Sequence, residues 1–117
     1  MKLIAVEGCE LSCVQGGIAT IESDPSKAVK INGNGIYFDS IEISVKGSSA
    51  GGAAGNASGT GKLNLTASKT KASGKFVCLE GDEAQIVVNG SNPLGMPTSG
   101  IEVVKIEKAG QKIVKGI

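Results

Sequence analysis

Histidine is missing from this sequence, and so is tryptophan; one tyrosine and two phenylalanines are the only aromatic residues. Without an imidazole, Ser-His-Asp and Cys-His catalysis are excluded, as are zinc sites built on histidine. Any chemistry left would need paired carboxylates, an activated lysine or an all-cysteine metal site. Large rings usually dominate core burial. The core here must be built from Ile, Val, Leu and Ala, which suit pleated sheets. No apolar run approaches the roughly 18 residues of a membrane span. The start, "MKLIAVEG", lacks a long apolar segment followed by a small-residue cleavage site, so it is not a secretory signal. The expectation is synthesis and folding in the cytoplasm. Three cysteines, an odd count, agree with that, because a disulfide framework normally uses an even number. The charge is also one-sided in neither direction: 12 basic and 11 acidic residues are mixed along the chain. With no basic patch and no aromatic stacking platform, nucleic acid is not an expected partner.

What the sequence has in abundance is glycine, 18 residues in 117. Many glycines, few prolines and many β-branched residues indicate short strands joined by tight turns. The length fits one domain. Strands are expected over 2–6, 18–22, 27–31, 36–45, 62–66, 75–80, 84–88 and 101–108. Turns are expected at Gly16-Gly17, at "SDPS" (23–26), at Asn32-Gly33, at Asn89-Gly90 and at Ala109-Gly110. The tail lysines Lys105, Lys108, Lys112 and Lys115 then read as the solvated face of a closing hairpin. No helical period persists over 11 residues, whereas period-two alternation recurs. Residues 47–61, "GSSAGGAAGNASGTG", bury little surface. They read either as a flexible surface loop or as an insertion lying against a partner, with small residues permitting close backbone approach. There is no GxxxxGK[ST] phosphate-binding loop.

The glycine turns line up. "VEGCELSC" (6–13), "INGNGIYF" (31–38) and "ASGKFVCL" (72–79) share a frame in which a small or apolar residue, a polar residue and Gly precede a short β-prone run. "VNGSNPLG" (88–95) shares its first half, and acidic segments follow the middle two copies. The recurring element is a hairpin whose turn requires positive φ.

These segments resemble the PAAR and PAAR-like family, small proteins that sharpen the tip of contractile injection machines and carry repeats of the form V-N-G-x-P-A-A-R-x-G-D. "ASGKFVCLEGD" (72–82) follows that frame with turn glycine Gly74, a strand Val77-Cys78-Leu79, then Gly81-Asp82. "INGNGIYFDSIE" (31–42) follows it with one glycine displaced. "EGCELSCVQGG" (7–17) is similar to the opening of PAAR-like relatives, through Gly8, Leu11, Cys13 and Gly16. The Pro-Ala-Ala-Arg tetrapeptide itself is absent, and without histidine the family's metal-ligand set does not carry over. The resemblance implies an all-β fold, a small repeat-built cone of short β-hairpins with little or no helix, spanning residues 1–117 with an insertion at 47–61. It implies a structural role: a monomer that caps a three-fold partner, the trimeric β-helical spike (VgrG-like or phage central spike) of a phage tail or type VI secretion-like apparatus. Membrane contact would be transient, with delivery outside the cell. No enzyme activity, cofactor or resident metal is expected. The alternative is a small β-sandwich or barrel binding module, such as a carbohydrate-binding or adhesin domain.

Cys9, Cys13 and Cys78 read either as small buried hydrophobes or as an all-cysteine staple at the apex, Cys9-x3-Cys13 having zinc-ligand spacing. Asp39, Glu42, Glu80, Asp82 and Glu83 read as solvated strand-end and turn acids, with paired-carboxylate chemistry as the other possibility.

Overall fold

The computed structural model describes residues 2–72 and 74–116. In chain order the strands are β1 (Lys2–Leu3), β2 (Glu10–Cys13), β3 (Ile18–Ile21), β4 (Lys30–Ile31), β5 (Asn34–Gly35), β6 (Glu42–Ser48), β7 (Ala57–Lys62), β8 (Lys71–Ala72), β9 (Lys75–Phe76), β10 (Glu83–Ser91), β11 (Pro97–Lys108) and β12 (Lys115–Gly116). Among the described residues one turn of 3-10 helix, Ala50–Gly52, is the exception to strands and turns. The chain is all-β, as its composition requires.

Six strands form one antiparallel sheet in the order β2-β11-β10-β7-β6-β3. Residues 14–17 join its two outer strands, so the sheet curls back on itself into a nearly closed barrel of three hairpins. Because β2, β6 and β10 all run the same way round this sheet, the three hairpin turns (14–17, 49–56 and 92–96) lie at one end. Alternation fills the barrel. Ile43 and Val45 of β6, Ala84, Ile86 and Val88 of β10, and Val104 and Ile106 of β11 point inward and are buried. At about 25 cal/mol per Å² of apolar surface, each such Ile or Val contributes roughly 1.5–3 kcal/mol.

At the other end, the segments leading into β2, β6 and β10 are matched: Ile4-Ala5-Val6, Ile36-Tyr37-Phe38 and Val77-Cys78-Leu79. Their flanking residues pair in a cycle, Ile4 with Leu79, Val6 with Ile36, and Phe38 with Val77. Their middle residues close a ring of three backbone hydrogen bonds. Ala5 N–H donates to the Cys78 carbonyl (2.9 Å), Cys78 N–H to Tyr37 (2.9 Å) and Tyr37 N–H to Ala5 (3.2 Å). Period-two alternation then divides the side chains. Ala5, Tyr37 and Cys78 belong to the barrel core, whereas Ile4, Val6, Ile36, Val77 and Leu79 form a second core with Ile31, Ala67 and Ala72.

Each ring segment is preceded by a two-stranded ladder in matching register: β4–β5 pairs Lys30 with Gly35, β8–β9 pairs Lys71 with Phe76, and β12–β1 pairs Lys115 with Leu3. In the first two a turn joins the strands, at Asn32-Gly33 and around Gly74 (Ser73 beside it lies outside the described residues). In the third, Lys2 and Gly116 pair across the place of that turn. The Gln111 side chain locks this closure, donating to the Ile4 and Val114 carbonyls (2.9 and 2.7 Å) and accepting from Ile113 and Val114 N–H (2.7 and 2.8 Å). The result is three unequal copies of one unit around a pseudo-three-fold axis, in a body of 48 × 24 × 21 Å.

Several expectations are corrected. Asn89-Gly90 is not a turn: both residues lie inside β10, opposite Ser99 and Thr98, and the chain reverses at 92–96. There the Asn92 side chain accepts from the N–H groups of Leu94 (2.9 Å) and Met96 (3.0 Å), and Gly95 takes positive φ (80°). The copies therefore number three, not four. Gly33 and Gly74 correspond, but Gly8 (φ 95°) corresponds to Gly81 (φ 94°), in the turn after the ring segment. The strand expected over 36–45 breaks at Asp39, where φ is 63°. The tail makes no hairpin with β11; β12 crosses to β1. Residues 47–61 are the end of β6, the 3-10 turn and most of β7, and their close backbone approach is to the chain's own strands. A β-carbon on Gly59 would collide with the Val87 carbonyl oxygen, and Ala50, Ala53 and Ala57 are buried in the barrel core.

Candidate functional site

The three cysteines share one neighbourhood. Cys78 is buried in the ring, and Cys9 and Cys13 pack half-buried against the same barrel core. All three are free thiols. Burial pushes the Cys9 thiol up to about 11. It pushes Cys78 up too, reinforced by Asp82 and Cys9. Cys13 is raised by burial and then by Glu102. Thiols held in their neutral form are poor nucleophiles and poor metal ligands. Among the described residues no three Cys, Asp or Glu side chains converge where they could hold a metal ion.

The acidic residues divide. Asp39, Glu42 and Glu83 are exposed, as expected of turn and strand-end acids. Asp82 is instead fully buried. It closes the turn after the ring, accepting from Leu79 N–H (2.9 Å) and from the Thr66 hydroxyl. Glu80 is half-buried and accepts from Ala109 N–H (3.0 Å). Asp82 and Glu80 thus each accept from a backbone N–H and brace the turns around the ring.

A further acid, Glu102, went unread in the sequence. It is fully buried on the inner face of β11, in line with Val104 and Ile106. Its carboxylate accepts from Gln15 N–H (2.7 Å), Gly17 N–H (3.2 Å) and the Ser48 hydroxyl (3.1 Å). Such charge-assisted bonds compensate for its desolvation. They also tie all three hairpins together at one point. The strand alternation placing position 102 on the inward face was the available signal.

The most site-like feature is repeated at the ring end. Three clefts of about 280, 320 and 370 Å³ occupy corresponding places beside the three copies. Each lies against one of the short ladders and includes the acidic residue that directly follows a ring segment: Glu7, Asp39 or Glu80. Each also holds a pair of lysines, Lys27 with Lys30, Lys71 with Lys75, and Lys108 with Lys112. In the second, the Lys71 ammonium lies 4.8 Å from the centre of the Phe76 ring, a cation–π contact. Three corresponding clefts, each with a lysine pair and one or two carboxylates (Glu7 and Asp24, Asp39, Glu80 and Glu107), repeat around the pseudo-three-fold axis.

Against known proteins, the chain matches no family model, no curated protein and no solved structure.

Proposed function

We propose that this protein is a structural tip that caps a trimeric β-helical spike in a contractile injection machine, phage tail or type VI secretion-like, and aids membrane puncture. The observation that carries the reading is the closed ring of hydrogen bonds through Ala5, Tyr37 and Cys78, which gives a single chain three-fold character at one end. A monomer can engage three identical subunits equally only if it repeats a surface three times. The clefts beside Glu7, Asp39 and Glu80 supply that repetition, and their lysines and carboxylates would meet charges of both signs on the partner. An elongated body, stiffened by backbone pairing, suits a part that leads mechanical penetration. The resemblance of 31–42 and 72–82 to the spike-tip repeat points the same way, and in the structure these stretches occupy corresponding places.

The test is binding to a trimeric β-helical spike with a blunt end, read by co-purification and light scattering. One chain per trimer is expected. Combined Lys30→Glu, Lys71→Glu and Lys112→Glu changes, one in each cleft, should abolish binding while leaving the fold intact. A chain that stays monomeric beside such spikes overturns the reading, and glycan binding in its place would favour the carbohydrate-binding module.

A further inference from the structure

Charge is segregated along the long axis. Residues 11–21, 47–61 and 84–101 contain no Asp, Glu, Lys or Arg. These stretches include all three turns of the hairpin end. Coming from that end, the first charges met are Glu102, buried under its three donors, and Lys46, opposite Ile18. Beyond Glu102, β10 and β11 carry on for five more residues a strand, to Ser91 and Pro97, roughly 17 Å of extended chain. This projection has apolar side chains where polar ones would cost nothing. Leu94 (84% exposed) and Met96 (59%) stand on its turn, and Val87 and Ile101, a cross-strand pair, face outward on its flank.

The turn of the projection is also hydrogen-bonded within itself. The strands pair through Ser91 and Pro97, Asn92 N–H donates to Met96 carbonyl (2.9 Å), and the Asn92 side chain takes the Leu94 and Met96 N–H groups. Asn56 accepts from Ser91 N–H (3.0 Å) and donates to its hydroxyl (2.9 Å). Thr98 Oγ1 is the one buried side-chain oxygen or nitrogen among the described residues without a partner. It is already out of water, so a change of surroundings costs it little. Apolar side chains, no charge and a hydrogen-bonded turn are what lets a hairpin tip, though not an open strand edge, leave water.

We propose that the turn of the β10–β11 projection, led by Leu94 and Met96, enters the lipid bilayer, and that the ring end faces the spike. The inference rests on the tip reading for its orientation. The unequal hairpins cannot match a trimer, whereas the three clefts can. Neutral lipid suffices, since no lysine lies on the projection to seek anionic headgroups.

The chain has no tryptophan, so single probes report cleanly. Leu94→Trp and Ile113→Trp, the latter in the exposed tail at the ring end, are mixed with neutral phosphatidylcholine vesicles carrying brominated acyl chains. The expected result is a blue shift and quenching for the Leu94 probe and neither for the Ile113 probe. Adding Met96→Asp to the Leu94→Trp protein should lower lipid partitioning by about tenfold or more. An unshifted Leu94 probe overturns the proposal, and so does an equal response from both probes. Loss of spike binding on Leu94→Asp also overturns it, by making this end the protein interface. Retained one-to-one spike binding beside an unshifted probe isolates the failure to lipid entry and leaves the capping reading in place.

Discussion

At the ring end the three copies match in backbone register; at the hairpin end they differ in strand length and turn. The ring segments are all triplets, each preceded by a two-residue ladder with lysine in the same position. The barrel hairpins range from four-residue strands in β2 and β3 to the 12-residue β11. The difference follows from what holds each region. The ring is fixed by backbone hydrogen bonds in a cycle, where lengthening one segment breaks all three. The hairpins are fixed by side-chain alternation, which tolerates extension as long as the inward face stays apolar. Only the ring end is bound to keep its symmetry. The hairpin end was free to become a point.

Core truncations on the two sides give the largest expected effects and test whether the regions are one cooperative unit. Ile86→Ala in the barrel and Leu79→Ala beneath the ring should each cost about 3 kcal/mol in urea unfolding. Both should shift one transition, because the ring residues Ala5, Tyr37 and Cys78 belong to the barrel core. Two transitions that respond separately would break the comparison into independent parts. Glu102→Ala comes next, at about 2–3 kcal/mol, since it leaves Gln15 N–H, Gly17 N–H and the Ser48 hydroxyl unpaired. Hydrogen exchange should show the loosening at Gln15 and Gly17 and leave the ring amides of Ala5, Tyr37 and Cys78 protected.

A smaller loss is expected in base. Burial raises Cys9 from 9.0 to about 11 in the folded protein. The folded state therefore holds its proton where the unfolded state has released it. Stability is intact below about pH 9 and falls as pH rises toward about 11. Melting temperatures across that range check the direction, and Cys9→Ala should flatten the slope.

Gly33→Ala and Gly74→Ala sharpen the comparison at the symmetric end. Both glycines have positive φ (82° and 80°), and an added β-carbon would touch nothing within 4 Å at either. The cost is then backbone strain alone, about 1 kcal/mol at each. Equal losses mark equivalent positions; unequal ones would show that the copies differ more than their register implies. Leu94→Asp should change stability by no more than about 0.5 kcal/mol, because its side chain is solvent-exposed.

The long strands β10 and β11, β3 and the Asn32-Gly33 turn were legible because they depend on local pattern, whereas β2 and the glycine-rich β7 carry too little of it and the strand expected over 62–66 ends at Lys62. The kinship of Gly33 and Gly74 was legible too. Asn89-Gly90 misled for a physical reason: the same dipeptide serves a paired strand when Asn92, Pro93 and Gly95 offer a better turn three residues later. Asp82 looked solvated because its partners, Thr66 and Leu79 N–H, come from elsewhere in the fold. The ring was beyond reach. It is made of backbone groups far apart in sequence, and Ala5, Tyr37 and Cys78 share no side-chain signature. The clefts inherit that obscurity, since each joins a turn, an irregular segment and a ladder that become neighbours only once the ring is closed.

The pairing of Lys2 with Gly116 closes the cycle of ladders between two strands far apart in sequence, at the station where the other copies have a turn. A circular permutant that joins the present ends through a short glycine linker and opens at Asn32-Gly33 should keep the same ladder, ring and barrel. The order in which the copies are synthesised would change, and the object they build would not.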